Sequence, residues 1–253
     1  MSEEILTEDE KFWGPRYGKI YPYLEQAKPY HNLISQIGDF IDPKANERWL
    51  DLGTGSGAIV DLIWRLTNGT VGEVCALDLT DVMLNHLRRR LPSFDPPVQD
   101  GQIVFMKHNL AYRLPFPNEA YDGIVANLVL PYIEQHEGVK GRDALESILR
   151  ESYRVLKPGG VCVWSSPVHC VKFFNVFLAS WKEIMNPKRI KNLYYGPAIL
   201  RYAKMIEKKG TLGQYTFLHD DELIRIMQKV GFSDIKTARS FAGQAVVVSG
   251  TKV

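Results

Sequence analysis

Between residues 48 and 166, short apolar runs alternate with segments whose apolar residues recur every three or four positions. RWLDLG is an apolar run ending in glycine and reads as a buried strand. SGAIVDLIWRLTNG follows, with Ile59, Leu62, Ile63 and Leu66 at helical spacing and a stop at Asn68-Gly69. EVCALDL is a second strand. TDVMLNHLRRRL is a second helix, opened by Thr80 or Asp81 as cap and closed before Pro92. IVFMKHN and YDGIVANL predict a third and a fourth strand. DALESILRESYRVLKPGG predicts a helix ended by Pro158 and two glycines, and VCVWSSP a fifth strand. Such alternation implies a doubly wound α/β fold, a mainly parallel sheet with helices on both faces.

The flanking segments break this rhythm. Residues 17 to 41 read as helical pieces broken at Pro22 and Pro29. Residues 167 to 215 hold no clear strand and are helical in spacing, rich in aromatics and lysine. A helix, DDELIRIMQKVGF, and two strand-like runs, SDIKTARSF and AVVVSGTKV, then resume the sheet. No linker composition separates these blocks. The expectation is one domain over 1–253: an N-terminal helical lid (1–42), a core (43–166), a helical insert (167–215) and the last part of the sheet (216–253).

Composition narrows the classes. The chain has 253 residues, 45% hydrophobic and 24% charged, ordinary for a globular protein. A net charge of +2 is too small to argue for nucleic acid. No apolar stretch approaches the roughly 20 residues that cross a bilayer. The start, MSEEILTEDE, is acidic and polar, unlike a secretory signal. Cys75, Cys162 and Cys170 have no CxxC spacing, so neither a metal site nor a disulfide framework is expected, and a reducing cytoplasm is the default.

The turn after the first strand carries the chemistry. In WLDLGTGSG, Gly53, Gly55 and Gly57 allow a tight turn and let a ligand lie against bare backbone. With Ala58 the stretch also fits the dinucleotide pattern GxGxx[GA]. Asp51 disfavours that reading. Phosphate at a helix N-terminus gains from free amides, and a carboxylate about 4 Å away would cost on the order of 4 kcal/mol. A cationic ligand reverses the sign. S-adenosylmethionine carries an ammonium and a sulfonium and no phosphate. The plainer alternative is that Asp51 caps the turn. Asp78 ends the second strand, where an acid accepts hydrogen bonds from ribose hydroxyls; its alternative is a helix cap.

WLDLGTGSG, ALDLTDVML, HNLAYRLPFPNEAYDGIVANLVLPYI and ESYRVLKPGG occur in that order across about residues 47 to 166. Together they resemble class I S-adenosylmethionine-dependent methyltransferases, most closely the group that includes quinone-biosynthesis and small-molecule methyltransferases. The LPF turn followed by YDGIVAN and then RVLKPGG is more specific than the glycines. The resemblance implies a Rossmann-like seven-stranded sheet whose last strand runs antiparallel, and S-adenosyl-L-methionine as cofactor. It implies that Asp51 and the loop Gly53, Thr54, Gly55 and Gly57 hold the methionine part. Asp78 would hold the ribose, and Leu79 and Met83 would pack on the adenine, although Met83 also suits plain core. Asn109 and Leu110 would flank the adenine amino group. Family members usually carry aspartate where Asn109 stands; its amide oxygen can still accept. Asn127 would present backbone near the methyl group.

The acceptor is less legible, because methyl transfer needs positioning more than a strong base. Specificity is expected in the N-terminal helices (Trp13, Tyr17, Tyr21, Tyr23, Tyr30) and the insert. Tyr17 or Tyr21 would reach the cofactor carboxylate, or would simply pack. Phe173, Phe177 and Trp181 recur four apart, with Phe174, Tyr194, Tyr195 and Tyr202 nearby. They predict either a face packed on the sheet or the wall of a lipophilic or aromatic pocket. Lys172, Lys182, Lys188, Arg189, Lys191, Arg201, Lys204, Lys208 and Lys209 form a solvated face, or one suited to an anionic membrane surface. No nucleic-acid module is present. Candidate bases are His169, Tyr132 and His136, with His108, His219 and Glu134 behind them; each also suits a structural role. The expected activity is methylation of a small, aromatic or lipophilic molecule. The alternatives are a lipid or amine N-methyltransferase and a non-catalytic cofactor-binding partner protein. Oligomeric state is not indicated.

Overall fold

The computed structural model describes residues 8–180 and 190–253. Seven strands form one sheet: β1 (Arg48–Leu52), β2 (Glu73–Asp78), β3 (Ile103–Lys107), β4 (Tyr121–Ala126), β5 (Leu156–Pro167), β6 (Phe232–Ser240) and β7 (Ala245–Lys252). Their spatial order is β3-β2-β1-β4-β5-β7-β6. Neighbours from β3 to β5 pair in parallel, and β7 runs antiparallel to both β5 and β6. The expected direction of the last strand is therefore observed, and that strand lies inside the sheet, not at its edge.

The period-two pattern of the strands divides the core. Leu50, Leu52, Ile124, Trp164 and Val248 point to one face, against α4 (Gly141–Val155) and α7 (Asp220–Val230). Trp49, Val125, Val163 and Val247 point to the other, against α1 (Lys28–Gly38), α2 (Ala58–Leu66) and α3 (Asp81–Arg90). Each fully buried side chain of this kind is worth about 1.5–3 kcal/mol. Gly123 lets the strands meet at the centre, since a Cβ there would sit 2.3 Å from the Trp49 ring. The insert holds α5 (Phe173–Ala179) and α6 (Ile190–Thr211).

Local signals were followed closely. Pro22 and Pro29 each stand in the first turn of a helical piece, Tyr21–Leu24 and α1. Thr80 is the cap of α3, its hydroxyl accepting from the Met83 N–H. One expectation is corrected. The helix of residues 141–155 stops at Val155, ahead of Pro158, and LKPGG opens β5. Proline biases Lys157 out of the helical region. Backbone bonds from Glu119 and Ala120 to the carbonyls of Arg154 and Val155 draw the chain into the sheet at Leu156, five residues before the expected strand. The extra residues form an irregularity in the β4–β5 register between Tyr121 and Gly123.

Candidate active site

A cavity of about 440 Å³ opens at the carboxyl ends of β1 to β4, where ligands of doubly wound sheets bind. Its floor is Gly53 and Gly55 after β1, Asp78 and Leu79 at the end of β2, and Asn127 after β4. Asn109 and Leu110 supply one side. The N-terminal segment supplies a roof through Trp13, Tyr17, Tyr21 and Tyr30, and α5 and α6 close the far wall.

The three loop glycines have positive φ (67°, 55° and 85°) but different neighbours. A Cβ on Gly53 would meet Val129 at 2.5 Å, and one on Gly55 would meet the Tyr21 hydroxyl at 2.9 Å. Gly57 instead faces Leu87, at 2.2 Å. The first two keep the cavity floor bare. The third lets α2 and α3 pack, and it does not line the cavity.

Both acids of the turn are buried. The Asp78 carboxylate accepts from the Gly55 and Thr80 N–H groups, each at 3.0 Å. Asp51 accepts from the Thr54 hydroxyl at 2.6 Å. That bond is the turn cap weighed as an alternative; Asp51 and Thr54 sit behind the wall and not in it. Burial raises the pKa of Asp51 to about 7, with the Asp78 charge adding to it. Burial raises Asp78 to about 6, against backbone bonds that lower it. Hydroxyls and amides meet these charges, and among the described residues no cationic side chain does. A cation beside them would favour both carboxylates.

Of the other expected residues, Tyr21, Leu79, Met83, Asn109, Leu110 and Asn127 all line the cavity. The Asn109 side-chain oxygen already accepts from the Ala111 N–H at 2.9 Å, leaving it one lone pair. Tyr132 lines the cavity among Trp13, Tyr215 and Phe217. Burial drives its pKa well above the ordinary value, which favours the neutral phenol. His136 and His169 are not brought to the cavity. His136 is buried and donates from Nδ1 to the Leu110 carbonyl at 2.8 Å. His169 donates to the Phe217 carbonyl at 2.9 Å, its ring against His219. Their polar bonds hold loops, which chain order alone does not reveal. The roles expected of Trp181, Lys182, Lys188 and Arg189, and of the side chains of Lys191, Tyr194 and Tyr195, lie outside the described residues.

A polar chain passed over in the sequence links the roof to the floor. The Leu128 N–H donates to Ser165 Oγ (2.8 Å), and Ser165 donates to Asn127 Oδ1 (2.8 Å). Asn127 Nδ2 donates to the Tyr30 hydroxyl (3.4 Å), which shares a 3.1 Å bond with the Tyr21 hydroxyl. Tyr30 also donates to Glu25, whose second oxygen accepts from Ser56 in the glycine loop. Glu25 and Ser56 stand 31 residues apart, so no local pattern marks them.

A family model described as "Methyltransferase domain" matches residues 50–164. The Ubiquinone/menaquinone biosynthesis C-methyltransferase UbiE of Coxiella burnetii is 29% identical, over 83% of this chain and 76% of that protein. The demethylmenaquinone methyltransferase of Listeria monocytogenes is 24% identical, over 92% and 95%. Residues 50–164 carry the methyltransferase domain, and the chain is similar to S-adenosylmethionine-dependent methyltransferases over most of its length. Solved methyltransferases share its fold. A SAM-dependent methyltransferase from Aquifex aeolicus superposes with a TM-score of 0.57 at 14% identity, covering 93% of this chain and 97% of that one. A possible histamine N-methyltransferase from Thermotoga maritima gives 0.58 at 18%, covering 96% and 98%. The cavity suits S-adenosylmethionine: a bare glycine floor, Asp78 in its wall with Asp51 behind it and no cationic side chain on either among the described residues, and an apolar side of Leu79, Met83 and Leu110.

Proposed function

We propose that this methyltransferase acts on a small, uncharged, lipophilic aromatic molecule. One observation carries the reading. Among the described residues lining the cavity there is no lysine or arginine, and Trp13, Tyr17, Tyr132, Tyr202, Phe173 and Phe177 supply aromatic surface. A carboxylate or phosphate acceptor would find no counter-charge there. The named relatives act in quinone biosynthesis, which agrees with such an acceptor.

S-adenosylmethionine, when bound, supplies an electrophilic methyl group on its sulfonium. Asp78 would accept from the ribose hydroxyls, with its orientation held by the Gly55 and Thr80 amides. Leu79, Met83 and Leu110 would pack on the adenine, and Asn109 would accept from its amino group. The glycine loop and the Tyr21 hydroxyl would meet the methionine end, with Asp51 charging the turn from behind. Asn127, fixed by Ser165, would present its backbone toward the reacting methyl. The aromatic walls would hold the acceptor ring and exclude water.

The insert would also touch an anionic membrane surface, from which a lipophilic acceptor could be drawn. On α5, Phe174 and Leu178 are one turn apart and about half exposed. Lys172, Arg201, Lys204 and Lys208 are exposed on the same insert.

The test is turnover with S-adenosylmethionine on a panel of one phenol or quinol, one aliphatic amine and one aromatic carboxylate. Methylation of the neutral ring compound supports the proposal. Turnover of the amine alone would give the N-methyltransferase alternative, and turnover of the carboxylate alone would refute the pocket argument. Asp78→Ala should abolish most of the thermal stabilisation by S-adenosylhomocysteine.

A further inference from the structure

Glu25 is half-buried between Pro22 and Pro29, on the segment that carries Tyr21 and Tyr30. It does not line the cavity. Its carboxylate joins Ser56, in the glycine loop, to Tyr30, and through Tyr30 to Tyr21 and Asn127. We propose that Glu25 is the positioning residue that latches residues 12–30 onto the glycine loop, so that cofactor retention and assembly of the acceptor wall depend on one contact. The inference rests on the cofactor assignment above.

The geometry gives the reason. Tyr21 lies so close over Gly55 that a single methyl would collide with it. Gly14 and Gly18 pack in the same manner on Thr80 and Val82 at the start of α3, and the Gly18 carbonyl faces His86 Nε2 at 3.2 Å. The strap therefore lies across the floor on which the cofactor must rest, and ligand has to enter and leave past it. The same strap carries Trp13 and Tyr17, which touch Tyr132 and Tyr202 on the acceptor side. A carboxylate can accept from both hydroxyls at once. An amide of the same shape has one acceptor atom, so one hydroxyl no longer donates to this side chain.

Glu25→Gln should raise the Kd for S-adenosylhomocysteine about tenfold, the scale of one hydrogen bond to a charged group, mainly through faster release. Ser56→Ala should do the same, and the double variant should be no worse than either single one. Lys19, exposed on the strap, gives a second readout. S-adenosylhomocysteine should protect the Lys19–Ile20 bond from trypsin in the wild type and fail to do so in the variants. If Glu25→Gln does not fold, Ser56→Ala reads the same latch alone. Wild-type binding with unchanged affinity and protection in folded variants overturns the latch alone, as do independent effects that multiply in the double variant. A wild-type chain that binds no S-adenosylhomocysteine overturns the cofactor assignment, and the latch with it.

Discussion

Asp51 and Asp78 are costly residues to bury. Folding takes two carboxylates out of water into one turn with no cationic side chain beside them among the described residues, and their pKa values rise to about 7 and about 6. The sign of the pH effect follows. Between the ordinary aspartate range near 3.8 and these values, the folded state holds more protons than the unfolded one. The ligand-free protein should therefore lose stability as pH rises from about 4 to about 7. The cationic cofactor needs the ionised acids, so its stabilising effect should grow over the upper part of that window. A melting series with and without S-adenosylmethionine, from pH 5.5 to 7.5, measures both trends. A ligand shift that shrinks as pH rises contradicts the electrostatic role. These two acids were legible because each sits within a few residues of its glycine loop or strand end. Glu25 was not: it is an ordinary glutamate near a proline, and only folding brings it to Ser56.

Elements were legible where packing obeys local periodicity. The strands, α2 and α3 fell where apolar spacing and caps put them. LKPGG did not, because pairing with β4 outweighs the helix-ending habit of Pro158 and its glycines. The glycine loop shows how one motif serves two elements. Gly57→Ala would place a methyl 2.2 Å from Leu87 at a φ of +85°. Left-handed strain and overpacking together should cost roughly 2–4 kcal/mol in urea unfolding. Gly55→Ala should instead act through Tyr21, weakening cofactor binding more than it weakens the fold. Equal effects of the two substitutions on stability and on affinity would refute this division. The insert was read as helical with aromatics four apart, and Phe173 and Phe177 do reach the cavity. Periodicity could not choose between sheet and ligand as their partner.

For the whole molecule, a mainly parallel sheet with an antiparallel last strand, and a cavity at the strands' carboxyl ends, were foreseeable from the α/β rhythm and the motif set. That β7 lies between β5 and β6 was not, since strand direction leaves no mark on composition. Charge is uneven at this scale. Residues 172–209 carry nine lysines and arginines against Glu183 and Glu207, in a chain of net charge +2. If that region meets a membrane, the protein should sediment with phosphatidylglycerol vesicles, less with phosphatidylcholine, and lose binding as salt rises. Phe174→Ser with Leu178→Ser should cut the vesicle-bound fraction several-fold and leave turnover of a water-soluble acceptor in place. Equal sedimentation with both lipids would refute the contact.

The roof over the cavity has an optical consequence. Of the four tryptophans among the described residues, Trp49, Trp64 and Trp164 are sealed in the core, whereas Trp13 rests against Tyr17 and Tyr132 where ligands would lie. The sealed indoles emit against a constant surrounding. Trp13 alone of these lines the cavity, so a ligand there would change its surroundings. Its emission is thus a built-in gauge of occupancy, readable without a label.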